Sequence, residues 1–174
     1  MNKPWDDPLT MWKSKPAFFS WLRGQMRRSW TKYPIKNNFL RKHRFRASVG
    51  VNYRDVWACR CAKCKKVFPQ SQIQVDHIIP AGSLNEWADV EGFCKRLFTT
   101  SDQLRLLCNE CHELITYAFL YDIPEKEVGK YKMAVKFRQL KAAEQKKRLI
   151  KLGYEPKPNK EERLEQFKKH MKLK

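Results

Sequence analysis

The chain has no run approaching the ~18 consecutive apolar residues of a membrane-spanning helix. Its opening residues, MNKPWDDPLTMW, lack the apolar stretch of a secretory signal. These absences read as an intracellular protein, cytoplasmic in its host and without a membrane partner. Acidic residues are scarce as well: 18 Asp and Glu stand against 37 Lys and Arg, giving a formal net charge of +19 over 174 residues. That imbalance says nothing about fold, but it calls for a polyanionic partner. No internal repeat is evident. Core-forming material is present in quantity, with 42% hydrophobic and 13% aromatic residues. This suffices for one compact domain with appended elements and is too much for a disordered chain.

The charge is unevenly spread. Residues 1–56 carry 13 basic and 3 acidic side chains, residues 57–120 carry 7 of each, and residues 121–174 carry 17 and 8. A neutral central module thus lies between two basic arms, expected to bind a polyanion. Two of the four histidines, His77 and His112, fall in the neutral module, whereas His43 and His170 sit in basic runs and read as solvated.

The pattern Phe18, Leu22, Met26, Trp30 predicts an amphipathic helix over 16–31 ending at Tyr33-Pro34. Trp21 and Trp30 read as core residues rather than base-stacking groups. Residues 51–61 and 73–79 read as two strands paired antiparallel, with short helices over 85–97 and 108–119. The C-terminal arm reads as helix from Pro124 to Leu152, closed by Gly153, followed by a stiff EPKPN linker. A last helix should be capped by Asn159, with Leu164, Phe167 and Met171 as its apolar stripe.

Six cysteines in a reducing compartment point to metal ligands or buried thiols rather than disulfides. Cys61-Ala-Lys-Cys64 and Cys108-Asn-Glu-Cys111 are two CxxC pairs. Each lets two thiolates turn onto one ion, and two such knuckles fill a tetrahedral zinc site with no open position, so the zinc would be structural. A redox dithiol is the main alternative. Cys59 and Cys94 are left as free thiols. His112 directly follows Cys111, and adjacent helical residues project about 100° apart. A Cys61, Cys64, Cys108, His112 set is conceivable but would orphan Cys111. His112 is better placed to face Asp76-His77.

Asp76 and His77 end an apolar run, IQVDHIIPAG. Neighbouring strand residues point to opposite faces, so the two should play different roles. Asp76 with His112 makes a partial shell for a hard divalent cation that keeps its waters. His77 is then left to exchange a proton with water near neutral pH.

The segments VDHIIP, WADVEGFCKRLF and DQLRLLCNECH together resemble the HNH endonucleases, specifically the zinc-stapled phage-type and homing branch. The resemblance is close over residues 57–117 and looser over SWLRGQMRRSWTKYP. It implies an α+β fold, a small ββα-metal (His-Me finger) module stapled by a four-cysteine zinc site; the basic, mainly helical arms over 1–56 and 121–174 are read from charge and pattern, and the final ~50 residues lie outside the resemblance. It further implies one catalytic magnesium or manganese ion and hydrolysis of DNA to 5′-phosphate and 3′-hydroxyl ends. His77 would be the general base, and Asp76 and His112 the metal ligands. Gln103 holds the position usually taken by Asn, whose amide braces the loop bearing the base. ELITYA after His112 lacks the Lys-Thr pair common in that branch, having Ile115-Thr116 instead.

The expected partner is double-stranded DNA, nicked one strand per encounter by a monomer or weak dimer. Phosphate contacts would come from Arg23, Arg27, Arg28, Arg41, Lys42, Arg44 and Arg46. On the C-terminal arm they would come from Lys141, Lys146, Lys147, Arg148 and Lys151. The second reading is a zinc-stabilised DNA-binding or regulatory module with a degenerate nuclease site.

Overall fold

A computed structural model describes residues 3–49 and 54–173. Val51, Asn52 and Tyr53, at the start of an expected strand, lie outside the described residues. The fold is mixed α+β, with seven α-helices and five short strands among the described residues. It divides into two compact units, residues 1–112 and 113–174.

In the first unit, α1 (Lys15–Thr31) begins at Ser14, whose hydroxyl accepts a hydrogen bond from the Ala17 N–H (3.4 Å). Its apolar stripe drives the packing. Phe18 and Phe19 are buried against Ala81, Leu84, Phe93 and Leu97, with Leu22, Met26 and Trp30 at the margin. The segment expected to be a separate arm therefore shares its core with residues of the neutral module. Tyr33-Pro34 does end α1, but Pro34 also starts α2 (Pro34–His43). Proline suits the first helical turn because its missing N–H is unpaired there anyway.

Strands β1 (Phe45–Val49), β2 (Arg54–Arg60) and β3 (Val67–Pro69) form one antiparallel sheet in that order. Strand β4 (Ile73–His77) pairs with β5 (Leu104–Cys108), placing Ile73 opposite Cys108, Asp76 opposite Arg105 and His77 opposite Leu104. The expected pairing of residues 51–61 with 73–79 is therefore not formed. The intervening excursion carries Gly82, at φ +82°, and α3 (Asp89–Leu97). An L side chain rarely adopts that φ, and Gly82 also abuts the Arg96 guanidinium, which donates to the Ala81 carbonyl (3.0 Å). Helix α4 (Asn109–Tyr121) follows β5 directly, and its first turn belongs to this unit.

The second unit holds α5 (Val128–Gln139), α6 (Ala142–Lys151) and α7 (Lys160–His170). The expected single helix over 124–152 is thus two. Leu140 and Lys141 are extended, and the buried Gln145 amide donates to the Phe137 and Arg138 carbonyls (3.1 and 3.4 Å) at the end of α5, the first of which also accepts from the Leu140 N–H (3.1 Å). Gly153 takes φ +81°, as its C′ position requires. The Asn159 carboxamide oxygen caps α7 by accepting from the Glu162 N–H (2.7 Å). Phe167 stacks on Phe137 at 4.2 Å in a core shared with Ala134 and Leu149.

Candidate functional site

After β2 the chain makes a tight knuckle. Cys61 N–H donates to the Lys66 carbonyl (2.9 Å) and Lys65 N–H to the Cys61 carbonyl (3.0 Å). Lys65 adopts φ +62°, turning the segment back on itself. Ala62 N–H donates to the Leu106 carbonyl (2.8 Å), which ties the knuckle to β5. Cys108 ends that strand, and the first turn of α4 carries Cys111. The sulfurs of Cys61, Cys64, Cys108 and Cys111 all lie within 4.8 Å of one another, with Cys64 and Cys108 4.0 Å apart. Four thiolates bonded to zinc at about 2.3 Å sit about 3.8 Å apart, so the cluster needs only a small contraction.

The protonation of the cluster is divided. Burial works to raise the Cys61 thiol, but hydrogen bonds from the Cys108, Cys64 and Lys63 backbone and from the Cys64 thiol bring it down to about 6. Burial, reinforced by the Cys108, Cys61 and Cys64 thiols, pushes Cys111 up to about 12. Burial raises Cys108 as well. A thiolate at one corner forces protons onto its neighbours, and a divalent cation relieves that competition. The four cysteines could hold a metal ion such as zinc. The alternative set with His112 is not the one brought together. Cys59 is buried outside the cluster, and the Cys94 thiol donates to Met26 sulfur (3.9 Å).

Beside this cluster, His112 Nε2 lies 3.5 Å from Asp76 Oδ1. The other carboxylate oxygen, Oδ2, accepts from Arg105 Nε at 2.8 Å. An oxygen and a nitrogen donor from β4 and α4 thus converge at the edge of the unit, an arrangement that fits a hard or borderline divalent cation. His77 points to the opposite face of β4. Its Nε2 donates to the Leu97 carbonyl (2.9 Å), and its ring lies 4.3 Å from the Trp30 ring at 33°. A carbonyl only accepts, so Nε2 carries the proton, and in the neutral ring Nδ1 is the basic nitrogen. Just beyond Leu97, the Tyr33 hydroxyl contacts the Phe98 and Thr99 carbonyls, each at 3.1 Å. The α1–α2 junction therefore holds both His77 and the segment that orients it.

Gln103 departs from expectation. Its amide nitrogen donates to Asp102 Oδ2 (2.8 Å) rather than bracing the loop after His77. The bracing is done instead by its main chain, whose carbonyl accepts from Ile78 N–H (2.9 Å). Sequence reasoning missed Arg105 and Trp30. Pairing LRLLC with IQVDH as strands would have found Arg105, because that register sets it opposite Asp76. Nothing in the sequence connects Trp30 to His77.

The expected phosphate-binding residues fall into groups. Arg27, Arg28, Arg41, Lys42, Lys141, Lys146, Lys147 and Lys151 are at least partly exposed. Arg23 is half-buried, with its Nε buried and unpartnered among the described residues. Arg44 lies 4.1 Å above the Trp57 ring, and Arg46 pairs with Asp55 at 2.7 Å, so both are already engaged. Arg148 pairs with Glu144 at 3.1 Å.

No family model, no curated protein and no solved structure matches the chain. Among the described residues, no helix is long and apolar enough to cross a membrane.

Proposed function

We propose that the chain is a metal-dependent HNH DNA endonuclease that nicks double-stranded DNA. The observation that carries this reading is the β4–β5–α4 arrangement. It sets Asp76 3.5 Å from His112 and holds His77 by Nε2, with Nδ1 as the basic nitrogen. In this reading β4, β5 and α4 form a ββα-metal module. Cys61, Cys64, Cys108 and Cys111 bind one structural zinc that fixes β5 and α4 against the knuckle after β2.

Asp76 and His112 would hold the catalytic divalent cation, magnesium or manganese, which supplies Lewis-acid polarisation of the phosphodiester and charge stabilisation for the leaving 3′-oxygen. His77 Nδ1 accepts the proton of the attacking water, its ring held by the Leu97 carbonyl and the Trp30 face. The cations Arg27, Arg28, Arg41, Lys42, Lys146 and Lys147 neutralise backbone phosphates without specifying sequence.

One observation favours a second reading, a zinc-stabilised DNA-binding module: the Gln103 amide is turned away from the base-bearing loop. Product chemistry separates the two. Nicks left by the protein in duplex DNA with Mg²⁺ should be resealed directly by DNA ligase, as 5′-phosphate and 3′-hydroxyl ends require. Nicks that need end repair before sealing would contradict the mechanism, and an uncut duplex that still shifts on a gel would favour the binding module.

A further inference from the structure

Asp76 is already neutralised by this protein's own chain. Its side chain is only 16% exposed and is held between Arg105 on the cross-strand position and His112 on α4, at 2.8 and 3.5 Å. The carboxylate and the guanidinium cancel, and the imidazole contributes no negative charge. A divalent cation entering this pair of donors meets no net negative charge, while the Arg105 guanidinium repels it. Arginine remains charged at all working pH values, so the chain has no internal means of relieving the repulsion. A backbone phosphate bound next to the pair brings the missing negative charge. It also gives the Arg105 fork a second anion with which to make charge-assisted hydrogen bonds.

Resting on the nuclease reading, we infer that Arg105 makes occupation of the Asp76–His112 site by the divalent cation dependent on bound DNA. The protein alone binds the cation weakly, and the substrate phosphate completes the site. Arg105 is here a positioning residue that sets the order of assembly and thereby limits chemistry to the DNA complex.

Mn²⁺ binding followed by electron paramagnetic resonance tests this directly and does not depend on turnover. The zinc-loaded full chain carries His77→Ala, so the duplex stays intact. Asp76→Ala in the same background, with and without the same duplex, gives the signal from DNA and other sites. The expected result is weak Mn²⁺ binding without DNA, tightened about tenfold or more by duplex. Arg105→Gln should tighten Mn²⁺ binding without DNA by a similar factor, because a unit charge beside a dication is worth at least that in a partly screened site. Arg105→Lys keeps the charge and should behave like the parent, which also covers the case in which Arg105→Gln perturbs folding. Equal Mn²⁺ affinity with and without DNA, unchanged in Arg105→Gln but lost in Asp76→Ala, would overturn the inference while leaving the metal site intact. A signal unaffected by Asp76→Ala in every condition would overturn the site reading itself.

Discussion

At the residue scale, the cysteines and His77 show how local hydrogen bonding sets chemistry that a spacing pattern cannot. The two CxxC pairs name the four sulfurs, but only the fold shows that Cys61 is near 6 and Cys111 near 12 before metal arrives. The Cys61 pKa lies below its ordinary value of 9.0, so at pH 7.5 that sulfur is already mostly thiolate. The raised thiols, Cys108 and Cys111, must still give up their protons to bind zinc. Zinc binding to the metal-free chain at pH 7.5 should therefore release fewer than four protons, and zinc affinity should fall more steeply as pH drops through about 6, where Cys61 gains its proton. Calorimetry in buffers of different ionisation enthalpy reads the proton count, and release of all four would contradict the division of charge described here. For His77 the comparable fact is the Leu97 carbonyl, which holds Nε2 as the donor and leaves Nδ1 as the basic nitrogen that the proposed mechanism uses.

At the element scale, the sequence is legible wherever a pattern is long or chemically distinctive. The 3.6-residue stripe of α1, the Asn159 cap of α7, Gly153 and both cysteine pairs stand where expected. The sheet is not legible in the same way, because the run at 73–79 does not pair with its nearest neighbour in the chain; β4 reaches across the α3 excursion to β5. Strands β1 and β3 carry too few residues to show a period, and the break between α5 and α6 has neither proline nor glycine to announce it. That break depends on Gln145, which donates to two α5 carbonyls and accepts from the buried Arg163 Nε at 2.9 Å. Gln145→Leu keeps the volume but takes the amide partner from the buried Arg163 Nε and the Arg138 carbonyl, while the Phe137 carbonyl still accepts from the Leu140 N–H. It should destabilise the second unit by about 1–3 kcal/mol for the unsatisfied groups, read as faster amide hydrogen exchange in α5 through α7. Unchanged exchange would show that the amide does not hold the break.

The N-terminal helix supplies a second element-scale test. Trp30 packs its ring on His77, away from the expected metal ligands, so its loss should disturb the proposed base and leave zinc content unaffected. Trp30→Ala should lower kcat for nicking by up to about 100-fold with little change in KM, the cost expected when a catalytic group loses its alignment. Trp30→Phe, which keeps an aromatic face, should retain most of the rate. Equal rates for wild type and Trp30→Ala would remove Trp30 from the site.

At the scale of the whole molecule, the formal charge of +19, the four-cysteine cluster and the Asp76–His112 pair of the first unit belong to one proposed account. With a metal bound, the four cysteines would tie β5 to α4, and that junction carries His112 to Asp76. In the proposed reading, the exposed cations would bring a polyanion to a site that has little negative charge of its own. The most direct measurement is incubation of supercoiled plasmid with the purified chain in Mg²⁺ or Mn²⁺, with EDTA and His77→Ala in parallel. The account predicts metal-dependent nicked circles appearing before any linear product, absent with EDTA and abolished in His77→Ala, although that variant retains zinc and still binds DNA. Persistent nicking by His77→Ala, or no nicking by the wild-type chain in either metal while the plasmid is bound, would contradict it.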